Sequence, residues 1–281
     1  MEAVQEFPGK IIVTVKTALH RAYTAVTLIF LIRNWYEVAL GWLRRKEEGP
    51  NLVFRRGMTI GGALHEDALQ GFDSVFRNRD YRRFIQEPQA GELIDIGANI
   101  GALSLDWLSR KPGVRVHAYE PNPRTFAVLK RNIDQNGVGD RAYLYNEAVW
   151  NAPGTLLLHH DRESSVATTA FPISKPVAEA FSVKSVGLDE VVGRCVPGMK
   201  IGLVKIDVEG AEAEILEGSA GATLARINQI VLEYHDFRVP GTLARCRRVL
   251  EDNGFFCSTR PSGEECGLLY AIKKSSGQQC R

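Results

Sequence analysis

The sequence has little that marks it out by composition, and each shortage closes a door. Its formal net charge is only +2 over 281 residues, so no overall field favours nucleic acid or a strongly acidic partner. Cysteine is scarce: Cys195, Cys246, Cys257, Cys266 and Cys280 are an odd number, show no C-x-x-C spacing and all lie in the last third of the chain. That usage speaks for reduced thiols in a cytosolic protein. A bridge between Cys257 and Cys266 across a terminal hairpin is the alternative. No secretory signal is legible, because the N-terminal apolar stretch begins late and contains Lys16, His20 and Arg21. Eleven uncharged residues run from Ala22 to Ile32 before Arg33, about half of the roughly 20 that a membrane span needs. Neither internal repeats nor low-complexity tracts are present.

What the chain does have is pattern. Ile12, Val15, Leu19, Ala22, Val26 and Ile29 recur at steps of three and four, one face of an amphipathic helix, which Val13, Leu28 and Leu31 widen. Residues 1–50 therefore read as an N-terminal helical extension that packs on the main domain or on a second copy in a homodimer. The alternative is a helix lying on a membrane, since Arg33, Arg44, Arg45 and Lys46 follow closely; the contact would then use residues 11–46. A polar linker, Glu47 to Asn51, leads to a segment over 51–90 with a β-like piece, "NLVFRRGMTI", and a helix-like stretch, "FDSVFRNRDYRRFI".

From about residue 91 to 275 the chain alternates. Apolar runs at Leu93 to Ile96, Val114 to Tyr119, Ala142 to Tyr145, Ile201 to Ile206 and Ile230 to Leu232 suit buried strands, and helical stretches such as Pro123 to Asn136 and Ala211 to Leu216 separate several of them. This is the signature of an α/β unit with a mainly parallel sheet covered on both faces. Two departures matter. "GTLLLHH" and "FSVKSVGLDEVV" form a β-like insertion expected to add a hairpin at one sheet edge, and "GFFCST" with "GLLYAIKK" flank a turn-rich segment as a closing antiparallel hairpin.

The first strand ends in "LIDIGANIG", residues 93–101. Gly97 and Gly101 sit where a strand gives way to a helix, a place where a ligand approaches the backbone only if side chains are absent. The spacing is not the G-x-G-x-x-G of dinucleotide enzymes, and Asp95 in front would repel a diphosphate. An acid there suits a cationic, phosphate-free ligand, and S-adenosylmethionine has both properties. Glu120 ends the next strand 23 residues beyond Gly97, where a carboxylate is placed to accept hydrogen bonds from ribose hydroxyls.

At this point the sequence resembles the FkbM family of S-adenosylmethionine-dependent methyltransferases. The matching strings are "LIDIGANIG", "YEPNP" (119–123), "EAVWNAPGTLLL" (147–158), "VGLDEVV" (186–192), "VKIDVEGAEAEILEG" (204–218) and "LEYH" (232–235), in family order over about residues 55–272. "KIDVEGAE" is the most specific. The resemblance implies a Rossmann-like class I methyltransferase fold, with a mainly parallel seven-stranded sheet ending in an antiparallel hairpin. It further implies methyl transfer to a hydroxyl of a small molecule or sugar. Cofactor contacts are implied at Asp95, Gly97, Asn99, Gly101 and Glu120, with Glu147 and Ala148 near the adenine; Ala98, Pro121 and Asn122 complete the expected set. "RRGMTIGGALHEDALQGF" departs from the Arg-x-Gly-Thr-x-x-Asp order common in the family, so no substrate contact is inherited there.

The fourth core strand delivers Lys205, Asp207 and Glu209 at its C-terminal end, where open α/β sheets bind ligands. Alternation puts all three on one side if the strand stays extended. "IVLEYHD" ends the fifth strand with Glu233, His235 and Asp236. His235 is the first candidate for general base, because a histidine switches charge near neutrality, and Asp207 is the second. His159 and His160 point oppositely on a strand, so no metal is expected of them; "LHHDRESS" reads instead as a substrate-facing loop. The expected acceptor is a saccharide, a glycolipid-linked saccharide or another small molecule, methylated on oxygen. N-methylation, an NAD-dependent sugar-modifying enzyme and a non-catalytic binding module are the alternatives.

Overall fold

The structure, a computed structural model, describes residues 26–43, 50–61, 75, 81, 86, 88, 90–161, 168–171 and 178–274. Residues 26–31 form a helix, α1, and Trp35–Leu43 a second, α2. Leu52–Val53 (β1) and Thr59–Ile60 (β2) pair as a small antiparallel hairpin. Then come β3 (Ala90–Ile96), α3 (Ala102–Arg110), β4 (Gly113–Tyr119), α4 (Pro123–Gln135) and β5 (Ala142–Tyr145). An insertion supplies β6 (Ala148–Trp150), β7 (Gly154–Asp161), β8 (Thr168–Thr169) and β9 (Ala178–Gly187), followed by helix α5 (Leu188–Gly193). The chain closes its main sheet with β10 (Ile201–Ile206), helix α6 (Glu212–Glu217), β11 (Gln229–His235), β12 (Phe255–Pro261) and β13 (Cys266–Lys273).

Seven strands form one sheet in the order β12-β13-β11-β10-β3-β4-β5. The five from β11 to β5 run parallel, and β13 lies antiparallel between β11 and β12. The expected Rossmann-like methyltransferase sheet with its closing hairpin is what the chain folds into. Its strands are apolar on both sides because both faces are covered. Leu93 joins the core of one face, while Ile94 and Ile96 join that of the other. The helix α4 starts cleanly: Asn122 caps it by accepting from the Arg124 amide at 3.0 Å, and Pro123 fills the first turn.

Three expectations are corrected. The insertion does not extend an edge of the main sheet; it makes a separate four-stranded sheet ordered β6-β9-β7-β8, and "LDEVV" within it is helical. Cys257 pairs with Ala271 and Cys266 with His235, so the hairpin register keeps the two thiols from facing each other, and the four described cysteines are free. The N-terminal face also differs. Leu28, at the margin of the expected face, and Ile32, just past α1, are buried, whereas Val26 and Ile29, from the central stripe, are 51% and 40% exposed. Most of that stripe, and all of "FDSVFRNRDYRRFI" except Val75 and Tyr81, lies outside the described residues.

The hairpin of β1 and β2 is sewn to α4. Asn132 joins Gly61 through both its amide oxygen and nitrogen, and Asn136 does the same for Thr59. The lead-in segment is thereby fixed to the helix that follows the second core strand.

Candidate active site

Chain order reverses between β3 and β10, so the loops leaving these neighbours part to opposite sides and open a crevice at their C-terminal ends. In this register Asp95 lies opposite Lys205. A cavity of about 570 Å³ opens there, and it reaches from the first turn and Glu120 to Asp207, Glu233 and His235.

The first turn is pinned by its neighbours. The amides of Gly97 and Ala98 both donate to the Tyr119 carbonyl at 3.0 and 2.9 Å, and the Asp207 amide donates to the Ile96 carbonyl. Gly97, Asn99 and Gly101 have φ of 73°, 51° and 84°, the left-handed region. The reason for the two glycines differs from the expected one. A Cβ at Gly97 would run into the carbonyl of Asp207, and one at Gly101 into Cδ1 of Leu129 on α4. Gly97 lines the cavity and Gly101 does not. Both glycines therefore make room for protein, the second by letting α3 and α4 close on each other.

Asp95 is fully buried; Ser104 donates to its Oδ2 at 2.6 Å, and its Oδ1 has no hydrogen-bond partner. The Oδ1 of Asn99 is likewise buried and unpartnered. Glu120 accepts the Asn99 amide on one oxygen and the Asn122 amide on the other, each at 2.9 Å. Burial pushes its carboxyl up to about 7 against those hydrogen bonds. Ala98 and Pro121 line the same wall, whereas Asn122 is spent on capping α4 and does not. Ala148 lines it too; the Glu147 carboxylate is engaged by Arg194 at 2.5 Å and Lys184 at 2.7 Å, so any part it plays beside an adenine is not through a free charge.

At the other end Lys205 acts as a strut. Its ammonium donates to the carbonyls of Gly97 at 2.6 Å and Ile96 at 3.2 Å, and stands 3.5 Å from both Asp95 and Asp207. Burial pulls its pKa down, but the carboxylates of Asp207 and Asp95 outweigh that and leave it raised. Asp207 receives the Tyr81 hydroxyl on Oδ2 at 3.1 Å, and the same hydroxyl lies 3.3 Å from Glu233. Burial, then the charge of Asp207, pushes Glu233 up to about 7.

Glu209 does not continue the strand. Its φ of 56° turns the chain, and its carboxylate pairs with Arg238 at 2.8 Å. His235 is buried, and its Nδ1 meets Oε1 of the fully buried Glu212 at 2.8 Å. Burial opposes a charge on this imidazole, yet the Glu212 hydrogen bond and the carboxylates of Glu212, Asp207 and Glu209 raise it to about 10. A histidine already protonated at neutral pH has no lone pair to take a proton. An imidazole raised in this way is set to donate a hydrogen bond at neutral pH rather than to take a proton, which weighs against the base role expected of it. Asp207, Glu233 and His235 bring donor atoms within 4.8 Å of one another, but Lys205 and His235 already supply positive charge there.

The fold thus gathers Asp95, Gly97, Ala98, Asn99, Glu120, Pro121, Glu147, Ala148, Lys205, Asp207, Glu209 and His235 around one cavity. Leu156, Leu158, Thr168 and Ala170 show that the insertion supplies another wall. Sequence reading missed Glu212 and Tyr81 and gave Glu233 no role. Glu212 stands inside "VEGAE" and was open to notice; Tyr81 is 126 residues from Asp207, and no local pattern points to it.

The chain is similar in sequence to known methyltransferases. The family model of the methyltransferase FkbM domain matches residues 95–257. The 31-O-demethyl-FK506 methyltransferase FkbM of Streptomyces tacrolimicus is 32% identical over 228 residues, which cover 71% of this chain and 86% of that protein. The hexuronic acid methyltransferase AglP of Haloferax volcanii is 27% identical over 231 residues, covering 75% and 84%. Among solved structures, a methyltransferase FkbM from Methylobacillus flagellatus superimposes with a TM-score of 0.49 at 13% identity, covering 92% of this chain and 60% of that one.

Proposed function

The chain belongs to the FkbM methyltransferase family and is a methyltransferase, and from that premise we propose that it transfers a methyl group from S-adenosylmethionine to a hydroxyl of a saccharide or other small molecule. One observation carries the cofactor assignment: two buried oxygens without a hydrogen bond, Asn99 Oδ1 and Asp95 Oδ1, the latter with only the Lys205 ammonium 3.5 Å away, stand with Glu120 in a single cavity. Buried acceptors left unpaired are costly. They fit a ligand that brings donors and positive charge, as the ammonium and ribose hydroxyls of this cofactor do. When bound, the cofactor supplies a methyl carbon already activated by its sulfonium.

The protein's own residues do the rest. Asp95 and Asn99 hold the amino-acid end, and Glu120 accepts from the ribose. Lys205 ties the first turn to Asp207, so the donor and acceptor subsites are built on one rigid strut. Holding the two reactants in line supplies most of the acceleration. Asp207 takes the proton of the acceptor hydroxyl, a contribution of about 100-fold to 10,000-fold. His235, fixed by Glu212, donates a hydrogen bond toward the acceptor. An oxygen acceptor is supported by the relatives' own chemistry, a hexuronic acid in one and a 31-O position in the other.

Calorimetry with S-adenosylmethionine and S-adenosylhomocysteine tests the cofactor, and tight one-to-one binding of both is expected. Absence of binding far above micromolar concentration would sink the reading. The carbon-13 shift of a labelled transferred methyl then tells oxygen from nitrogen. A nitrogen-bound methyl would favour the second reading, a cationic amine drawn to Asp207, Glu209 and Glu233.

A further inference from the structure

Outside the lining of the cavity, the N-terminal helices carry a surface that the methyl-transfer reading leaves unused. Leu28, Ile32 and Val38 turn inward and fix how α1 and α2 sit on the domain. With that orientation set, Val26, Ile29, Phe30, Trp35, Tyr36 and Leu40 are left outside, Phe30 at 73% exposure and Tyr36 at 53%. Six large apolar side chains within 15 residues make a patch of the kind that marks an interaction site.

The charges around the patch say what it meets. Arg33, Arg55 and Arg56 are exposed and have no ion-pair partner among the described residues. Arg55 is held beside the patch, its guanidinium donating to the Ile29 carbonyl at 3.0 Å. Along the sequence, residues 10–46 hold seven lysines and arginines against the single acid Glu37, before Glu47 and Glu48 open the linker. The only described acid within the patch, Glu37, is taken up by Asn34 and Tyr36. Cations bordering exposed aromatic and aliphatic side chains match an interface with a negative outer layer and an apolar layer just beneath it. No helix among the described residues is long and apolar enough to cross a membrane; exposed apolar side chains bordered by cations suit a helix lying on the surface.

We propose that α1, α2 and the β1–β2 turn form a docking surface for an anionic lipid bilayer, with Phe30 and its neighbours entering the acyl boundary and Arg33 and Arg56 meeting the head groups. The residues involved are separate from those of the cavity, so this surface stands or falls independently of the cofactor assignment.

Flotation of the full chain with vesicles of phosphatidylcholine containing phosphatidylserine, and with phosphatidylcholine alone, provides the test. The chain is expected to float with the anionic vesicles, and raised salt should weaken it. Phe30→Glu, and separately the pair Arg33→Glu with Arg56→Glu, should each reduce flotation by about ten-fold or more. Melting temperature and S-adenosylhomocysteine affinity should stay at the parent values, since these side chains are exposed. No flotation of the parent, or equal flotation of parent and variants, overturns the proposal. So does a parent that is dimeric by light scattering, becomes monomeric on Phe30→Glu and ignores vesicles; the patch would then join two copies of the chain.

Discussion

Replacing Gly101 with alanine is the sharpest test of what the first turn is for. The sequence suggests that this glycine clears space for a ligand; the structure has it clearing space for Leu129, which is fully buried on α4. Two costs add. A φ of 84° puts an alanine in the left-handed region, worth about 1–2 kcal/mol. Its Cβ would also press on a leucine that the core does not let move freely, and overpacking costs about 1–3 kcal/mol. The sum of about 2–5 kcal/mol corresponds, at about 2–3 °C per kcal/mol for a chain of this size, to a fall of about 4–15 °C in melting temperature. Because Gly101 does not line the cavity, affinity for S-adenosylhomocysteine per folded molecule should stay within a few-fold. Differential scanning calorimetry and titration calorimetry on the same preparation measure both. A double variant with Leu129→Ala adds a second check: the two changes should cost less together than their separate costs summed, by about 1–2 kcal/mol, because the smaller side chain relieves the contact. The reasoning fails if Gly101→Ala melts with the parent while cofactor affinity collapses, since the glycine would then be serving the ligand.

Other consequences follow from the charges in the cavity. Burial holds the Glu120 carboxyl up at about 7, and ribose hydroxyls donating to it would favour its charged form, so S-adenosylhomocysteine binding near pH 7 should release protons; calorimetry in buffers of different ionisation enthalpy reads this, and the release should shrink in Glu120→Gln. The same raised value has a stability sign: the contribution is fully present below the ordinary 4.5 and is lost as pH rises through about 7, by about 3 kcal/mol without ligand. A flat denaturation profile across that window would contradict it. Asp207→Asn should lower turnover by about 100-fold to 10,000-fold with cofactor affinity within a few-fold; full activity would return the base role to another group. Glu212→Gln removes the foremost of the interactions that raise His235, so the imidazole should titrate well below its present value of about 10, as followed by NMR of the ring protons; an unmoved titration would show that Glu212 does not set its charge.

Much of the scaffold was legible before any tertiary contact was known. Buried parallel strands announce themselves as short apolar runs, and β5 and β10 fall on the residues expected from such runs. The acids at the strand ends were legible too, because Asp95, Glu120 and Asp207 are charges placed directly after apolar segments. Periodicity was a poorer guide at α1: of the expected face Leu28, from its margin, is buried, while Val26 and Ile29, from its central stripe, are exposed, and Ile32 just past the helix reaches the core. The insertion misled for a related reason. Alternation says that a segment is a strand, but not which strand it will pair with.

The sequence by itself determined the order of elements, the strand-to-helix turns and which residue types stand at the open end of the sheet, because these depend on neighbours a few positions away. Tertiary structure decided what each of those residues is for. Tyr81 reaches Asp207 across 126 residues and Lys205 reaches the Gly97 carbonyl across 108, and such contacts fix hydrogen-bond partners, burial and protonation. His235 illustrates the division. Its place at the end of β11 is written in the strand, whereas the rise of its pKa to about 10 comes from Glu212, Asp207 and Glu209 elsewhere in the chain.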